Sequence, residues 1–290
     1  MRWAVLWTFI LATTARVVWA RELPDDTNAL RSLTVEQAEA LVRTAADGQA
    51  LGLNGLTTLS DKAAEALAKN GAGLSRDGLT MLSGKGAEAL AKHKGGAIVL
   101  RGLTSLSDKQ AEALAKHEGY LALDGLTMLS DKAAEALAKH EGNLSLDGLT
   151  TLSDEAAKAL AKHERGVLYL NGLTTLSDEA TKALAKHPRD LFLNGFTALS
   201  DNQAEALAKH VDYLYLNGLT TLSDNQAEAL AKHEGTLYLN GLTTLSDKAA
   251  EALAKHEGNL YLYGLTTLSD EAARALRVRR YISLPSQLKP

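Results

Sequence analysis

Short segments of leucine and segments of alanine alternate along the chain with a period of 23 or 24 residues. One unit, residues 237–258, reads Leu-Tyr-Leu-Asn-Gly-Leu-Thr-Thr-Leu-Ser-Asp and continues through an alanine-rich stretch to Lys-His-Glu-Gly. The glycine before leucine recurs at Gly55, Gly78, Gly102, Gly125, Gly148, Gly172, Gly195, Gly218, Gly241 and Gly264. Self-similarity at a constant period predicts a repeat architecture.

Each unit predicts one strand and one helix. Leu-x-Leu places both leucines on one face of a short strand, and the Asn-Gly or Asp-Gly that follows predicts a turn, since glycine tolerates a positive φ. Ser-Asp predicts a helix start, since serine is a good N-cap and a helix N-terminus favours negative charge. The alanine-rich stretch predicts a helix of about three turns, and the glycine two residues after histidine is expected to close several helices.

One unit is too small to bury a core, but stacked units bury a continuous one. Strands stack about 4.8 Å apart whereas packed helices need about 8–10 Å, so the stack is expected to curve with its strands on the concave side. The predicted fold class is therefore α/β, with a parallel sheet on one face and helices on the other.

The unit Leu-x-Leu-x-Gly-Leu-x-x-Leu-Ser-Asp-x-Ala-Ala-x-x-Leu-Ala resembles a leucine-rich repeat. It is most similar to the cysteine-containing subtype of bacterial-type extracellular proteins, with Leu56, Leu126 and Leu242 where that subtype has cysteine. The resemblance covers roughly residues 50–284 and implies a right-handed horseshoe solenoid of about ten repeats. Such families mostly bind proteins, and sometimes glycans, on the concave face.

Four segments are predicted along the chain. Residues 1–20 have a short positive start, an apolar run too short to span a bilayer and a plausible cleavage site after Ala20, which is typical of a signal peptide. Residues 21–50 form a linker and helical cap, residues 51–276 the solenoid, and residues 277–290 a cap strand and tail. We therefore expect an exported protein: periplasmic, cell-surface or secreted.

Composition excludes several classes of function. The chain has 290 residues, 46% of them hydrophobic and 23% charged, with a net charge of −4, as in soluble globular proteins. The absence of cysteine excludes disulfides, cysteine-ligated zinc and a thiol nucleophile. Without a strongly basic balance we expect no nucleic-acid partner, and beyond the signal peptide we expect no transmembrane segment. A monomer is the default expectation.

Candidate binding residues follow from the strand positions that point away from the core. The central position is small in five units, Gly52, Ser75, Val99, Ala122 and Ser145, and aromatic in the next five, Tyr169, Phe192, Tyr215, Tyr238 and Tyr261. In register these rings would span about 19 Å on the concave face. Two residues later, four of the same units carry Asn171, Asn194, Asn217 and Asn240.

Rings beside amides suit the anchor residues of a protein partner, or a sugar chain held by stacking and hydrogen bonds. The alternative is structural, in which the rings stabilise the sheet and the asparagines only form the turn. The restriction of the rings to one half of the stack favours binding, whereas for the asparagines the turn is favoured.

All eight histidines occupy one repeat position: His93, His117, His140, His163, His187, His210, His233 and His256. A metal site or pH sensor is one interpretation, and a helix C-terminus that favours Lys-His is the other. Because metal ligands must converge on one ion, we predict no metal site and no cofactor. Without the two arginines of residues 1–20, 29 basic residues face 35 acidic ones, a net charge of −6. Titration of eight histidines near pH 6.5 would take it to about +2 and is expected to alter solubility or binding near pH 6.

Ser-Asp pairs such as Ser60-Asp61 do not indicate a hydrolase, because catalysis needs one asymmetric constellation and not a repeated copy. We predict that the protein is not an enzyme but an exported scaffold that binds a protein partner on the concave face. Glycan binding along the aromatic row and a structural or adhesive role without a specific ligand are the alternatives.

Overall fold

The computed structural model describes residues 26–44, 51–69, 73–75, 77–94 and 96–288; the predicted signal peptide at residues 1–20 lies outside them. Within these residues one helix alternates with one short strand. The helices are α1 (Val35–Thr44), α2 (Asp61–Leu67), α3 (Gly84–Ala91), α4 (Asp108–Leu114), α5 (Asp131–Leu137), α6 (Asp154–Leu160), α7 (Asp178–Leu184), α8 (Asp201–Leu207), α9 (Asp224–Leu230), α10 (Asp247–Leu253) and α11 (Asp270–Arg277). The strands are β1 (Leu51–Gly52), β2 (Leu74–Ser75), β3 (Ala97–Val99), β4 (Tyr120–Ala122), β5 (Leu144–Ser145), β6 (Leu168–Tyr169), β7 (Leu191–Phe192), β8 (Leu214–Tyr215), β9 (Leu237–Tyr238), β10 (Leu260–Tyr261) and β11 (Ile282–Ser283).

The strands form one sheet of eleven in chain order, and the pairings are parallel. Equivalent residues of neighbouring units face each other, as Leu214 and Tyr215 face Leu237 and Tyr238. Each strand therefore pairs only with the strands of the units before and after it. The predicted α/β solenoid of stacked strand–helix units is confirmed.

The core runs between the sheet and the helices. In the unit that contains β9, Leu237, Leu239 and Leu242 are fully buried against Ala249 and Leu253 of α10. Burial of one such leucine contributes about 1.5–3 kcal/mol. Equivalent hydrophobic positions are buried in the other units, with Ile98 and Phe196 in place of leucine in two of them. Since the partners of each leucine include the next unit, the units stabilise one another along the stack.

Serine caps the repeated helices, as the sequence predicts. Ser246 accepts a hydrogen bond from the backbone N–H of Ala249, and Ser223 forms a capping box with Gln226. The repeated helices span seven or eight residues, about two turns rather than the predicted three. They end early because the chain after Leu253 tightens, with the N–H of Lys255 donating to the carbonyl of Ala252.

The predicted turns are present at the Asn-Gly and Asp-Gly pairs, but their glycines do not adopt a positive φ. A Cβ on Gly241 would collide with the carbonyl oxygen of Asn217 in the preceding unit, and one on Gly235 with that of Asp212. Gly235 also lies beyond the turn that ends α9 and does not close it. Glycine is required at both positions because neighbouring units approach closely.

Both ends of the described stack are covered. Ala38 and Leu41 of α1 are buried against the first unit, and a short 3₁₀ turn, Thr27–Ala29, lies beside β1. At the other end β11 pairs with β10, and Leu284 is buried in the same core. Among the described helices none is long and apolar enough to cross a bilayer.

Candidate functional site

Aromatic rings form a continuous stack on the face of the sheet opposite the helices, which we call the open face. This ring stack consists of Tyr169, Phe192, Tyr215, Tyr238 and Tyr261, the residues predicted from the strand position. Successive ring centroids lie 4.4, 3.7, 4.1 and 4.5 Å apart, and the last three pairs are within 9° of parallel. The rings therefore cover each other's faces and present their edges outward.

Further tyrosines surround the ring stack. The ring of Tyr120 packs edge-on against that of Tyr169, with the two centroids 6.4 Å apart. The ring of Tyr263 is tilted against that of Tyr261, with the centroids 5.8 Å apart. Tyr213 lies 6.4 Å from Tyr238 and is 43% exposed. Tyr120 and Tyr213 are not among the site residues predicted from the sequence, because they stand just before the first leucine of their units. The strand period of two could have found them, since it places that position on the open face as well.

In the first half of the open face, the small residues at the central strand position were expected to point away from the core and be exposed, but two of them are not. Ala122 and Ser145 are buried. Tyr120 and Tyr169 come from the strands on either side of β5 and their rings meet, which accounts for the burial of Ser145 beneath them. The hydroxyl of Ser145 donates to the carboxylate of Asp124.

The asparagines link neighbouring units. The side-chain oxygens of Asn171, Asn194 and Asn217 accept the backbone N–H of the corresponding asparagine in the next unit at 2.9–3.1 Å. Asn240 accepts that of Tyr263 at 3.0 Å, and Asp147 accepts that of Asn171 at 2.9 Å. We call this chain of bonds the asparagine ladder. The side-chain oxygens are thus already used within the sheet, a role beyond the turn that sequence analysis favoured.

Carboxylates flank the ring stack. Burial raises the pKa of Asp190, and the carboxylate of Asp212 raises it further. The pKa of Tyr169 is raised by burial first, and then by Tyr120 and the charges of Asp190 and Asp147. The pKa of Tyr215 is raised mainly by burial and by the neighbouring Tyr238 hydroxyl. The second half of the open face therefore combines phenol edges with negative charge.

In the first half of the open face two carboxylates are paired with one arginine. Arg101 lies 3.0 Å from a carboxylate oxygen of Asp124 and 3.6 Å from one of Asp77. Such partly exposed pairs contribute about 0–1 kcal/mol each. Because one guanidinium faces two carboxylates, the pairs offset part of the negative charge of this surface rather than hold the fold together.

The histidines are buried in columns and not displayed at exposed helix ends. Ring centroids of neighbouring histidines lie 5.8–6.2 Å apart from His93 to His187 and again from His210 to His256. Burial lowers the pKa of His163 and of His210 to about 4. The expectation that all eight titrate near pH 6.5 is therefore wrong, because removal of the charged form from water lowers the pKa of seven of them: His117, His140, His163, His187, His210, His233 and His256. Within the described residues no group of three or more acidic or histidine side chains could hold a metal ion.

Each unit consists of one parallel strand, one turn and one helix, and the units repeat in register along a single sheet. This repetition defines the architecture. The chain is folded as a leucine-rich-repeat solenoid. No protein-family model matches the sequence, and no curated protein is significantly similar to it. Among solved structures, a leucine-rich-repeat protein of Leptospira interrogans is similar over 88% of this chain and 69% of its own, at 20% identity and a TM-score of 0.47.

The Ser-Asp pairs of the solenoid serve its framework. The hydroxyl of Ser130 accepts the N–H of Ala133 within its own helix start and donates to the carboxylate of Asp108, one unit earlier, at 2.6 Å. The same link recurs between other units, as from Ser200 to Asp178 at 3.0 Å. Both groups are thus committed to helix capping and to contacts between units.

Proposed function

We propose that this chain is an exported, non-enzymatic binding scaffold that recognises a protein partner through the second half of its open face. The ring stack is the observation that carries the proposal. Large aromatic side chains, tyrosine in particular, supply much of the binding energy at protein interfaces. Here they are concentrated on one half of one face.

Stacking also fixes the rings before any partner arrives. A side chain that is already ordered loses little conformational freedom on binding, so more of its contact energy remains as affinity. The rings of Phe192, Tyr215 and Tyr238 are held between neighbours whose ring centroids lie 3.7–4.5 Å away. A preorganised surface of this kind favours a protein partner over a structural role without a ligand.

A glycan is the second candidate, and the ring geometry argues against it. Sugar rings bind aromatic side chains mainly across the ring face, where the apolar surface is broad. In the ring stack the spaces between faces are at most 4.5 Å, too narrow to admit another ring. The outward edges suit a partner that contributes side chains from the side.

A pull-down from native extracellular material tests the proposal. The probe is the chain from residue 21, compared with its Tyr215→Ala/Tyr238→Ala variant. We expect one protein to be recovered at least tenfold less by the variant, because two adjacent anchors are removed. Protease treatment of the material beforehand should abolish recovery, whereas a glycan ligand would survive it.

Two controls separate binding from folding. Met81→Ala/Met128→Ala also truncates two large apolar side chains, 68% and 74% exposed, and should leave recovery unchanged. Tyr215→Phe/Tyr238→Phe keeps the stacked rings and should retain most binding, and circular dichroism checks that each variant is folded. Equal recovery by the wild-type chain and the folded alanine variant would overturn the proposal.

A further inference from the structure

The middle of the ring stack differs from its ends in chemistry. Phe192 is the only member of the stack without a hydroxyl, and it lies between Tyr169 at 4.4 Å and Tyr215 at 3.7 Å. The line of phenol edges is therefore interrupted at β7 by an apolar ring edge. We call this place the Phe192 notch, with Tyr169 and Tyr215 as its sides.

One carboxylate lies on the face of the notch, and a second one neighbours it. Asp190 precedes Phe192 by two residues and so shares its face of the sheet. Besides burial, its charge raises the pKa of both Tyr169 and Tyr215, the two sides of the notch. Asp212, from the next unit, lies close enough to Asp190 to disfavour its ionised form.

This negative charge lacks a counter-ion among the residues the structure describes. Neither Asp190 nor Asp212 forms an ion pair there, in contrast to Asp77 and Asp124, which share Arg101. Two neighbouring carboxylates repel each other, and a cation placed between them would relieve the repulsion. At the centre of the aromatic half of the open face, this negative charge is therefore not neutralised by any residue that the structure describes.

A planar cation fits such a surface best. A guanidinium group donates hydrogen bonds in a fork to carboxylates and also lies favourably against aromatic rings, whereas an ammonium group is a hydrated point charge. The notch offers carboxylates, phenol oxygens and an apolar edge together. Charge complementarity therefore favours a partner segment that presents arginine.

We propose that the Phe192 notch binds a cationic side chain, arginine in preference to lysine, of the protein partner. The inference rests on the proposed function and adds the chemistry of the segment recognised. It makes Asp190 and Asp212 specificity residues, while the ring stack supplies the contact area.

Calorimetric titration with a defined peptide tests the notch directly. The probe is a terminally blocked nonapeptide of alternating arginine and glycine, with lysine and glutamate versions for comparison. We expect the arginine peptide to bind the wild-type chain more tightly than the lysine peptide, and the glutamate peptide not to bind. Asp190→Asn/Asp212→Asn should weaken the arginine peptide about tenfold, and Phe192→Tyr, which puts a hydroxyl into the notch, about threefold.

Glu234→Gln/Glu257→Gln is the matched control. It removes the same net charge from exposed positions in the connections that follow α9 and α10, and it should change affinity by less than twofold. Absence of arginine-peptide binding to the wild-type chain would overturn the proposal. An equal loss in the glutamate control would also overturn it, since bulk charge alone would then explain the binding.

The pull-down separates this inference from the proposed function. Recovery of the partner should fall with the Asp190→Asn/Asp212→Asn variant as it does with the tyrosine variant. If only the tyrosine variant loses the partner, the scaffold function stands and the cation notch is wrong. If neither variant loses it, both proposals are wrong.

Discussion

At the residue scale, the buried histidines show how strongly environment governs chemistry. His163 is fully buried and stacks between His140 and His187 at 6.1 and 5.8 Å. Removal from water holds the ring neutral, with the charges of neighbouring histidines acting in the same direction. The repeated Lys-His pattern is compatible with an exposed ring, so only packing reveals this state.

Stability is therefore expected to fall in mild acid. In the unfolded chain a histidine binds a proton below its pKa of about 6.5, whereas in the folded protein the pKa of His117, His163, His187 and His210 is about 4. The loss thus begins below pH 6.5 and extends to about pH 4, at about 1.4 kcal/mol per unit of pKa shift for each group. Urea unfolding at pH 7.5 and 4.5 measures it.

His163→Asn is the control, because asparagine occupies the equivalent position at residue 70. It should reduce the number of protons taken up on unfolding in this pH range by about one. The contribution of the carboxylates to the pH dependence should stay unchanged. Equal unfolding free energies at the two pH values would contradict the assignment of neutral, buried histidines.

At the scale of single elements, hydrogen bonds between units compensate for very short strands. Strands of two or three residues offer few backbone bonds, and the asparagine ladder adds one side-chain bond for each unit from Asp147 to Asn240. The ladder continues the pairing past the end of each strand, where the chain turns toward the helix. It also explains how aspartate can replace asparagine at residue 147, since both supply an acceptor oxygen.

Asn217→Ala is predicted to lower the free energy of unfolding by about 1–3 kcal/mol, because it leaves the backbone N–H of Asn240 without its partner. Asn217→Asp, which keeps the acceptor, should lose much less. Urea unfolding gives the energies, and hydrogen exchange at the Asn240 amide should accelerate only in the alanine variant. Similar losses in the two variants would refute the role of the acceptor.

At the scale of the whole molecule, the two halves of the solenoid are held differently. The ring stack reinforces β6 to β10, whereas the corresponding positions in β1 to β3 carry Gly52, Ser75 and Val99. In a solenoid each unit contacts only its neighbours, so an extra contact between units acts locally. The halves should therefore differ in local stability within one continuous core.

Hydrogen exchange followed by mass spectrometry tests this difference at matched distances from the two ends. β3 and β9 are each third from an end of the described sheet. We expect the amide of Leu239 after β9 to exchange roughly tenfold more slowly than that of Leu100 after β3, because opening β9 also breaks ring contacts. Tyr215→Ala/Tyr238→Ala should narrow the gap, and equal rates in the wild-type chain would contradict the prediction.

Much of the fold follows from the sequence alone. A constant period, Leu-x-Leu, Ser-Asp and an alanine stripe determine the strand, the capped helix and the buried face, since each depends on local propensity and alternation. The same alternation placed Tyr215 and its four equivalents on one face and in register. These properties are local and repeated, so one unit specifies them for the whole stack.

Tertiary structure decided whatever depends on the next unit. The collision of a Cβ on Gly241 with Asn217, the burial of His163 and the acceptor role of Asn217 all arise between units that lie 23 or 24 residues apart in the chain. The stacking of the rings also arises between units, since Phe192 and Tyr215 belong to neighbouring strands and their ring centroids lie 3.7 Å apart. Sequence periodicity shows which residues become neighbours, but distance, burial and ring orientation are set only when the units pack.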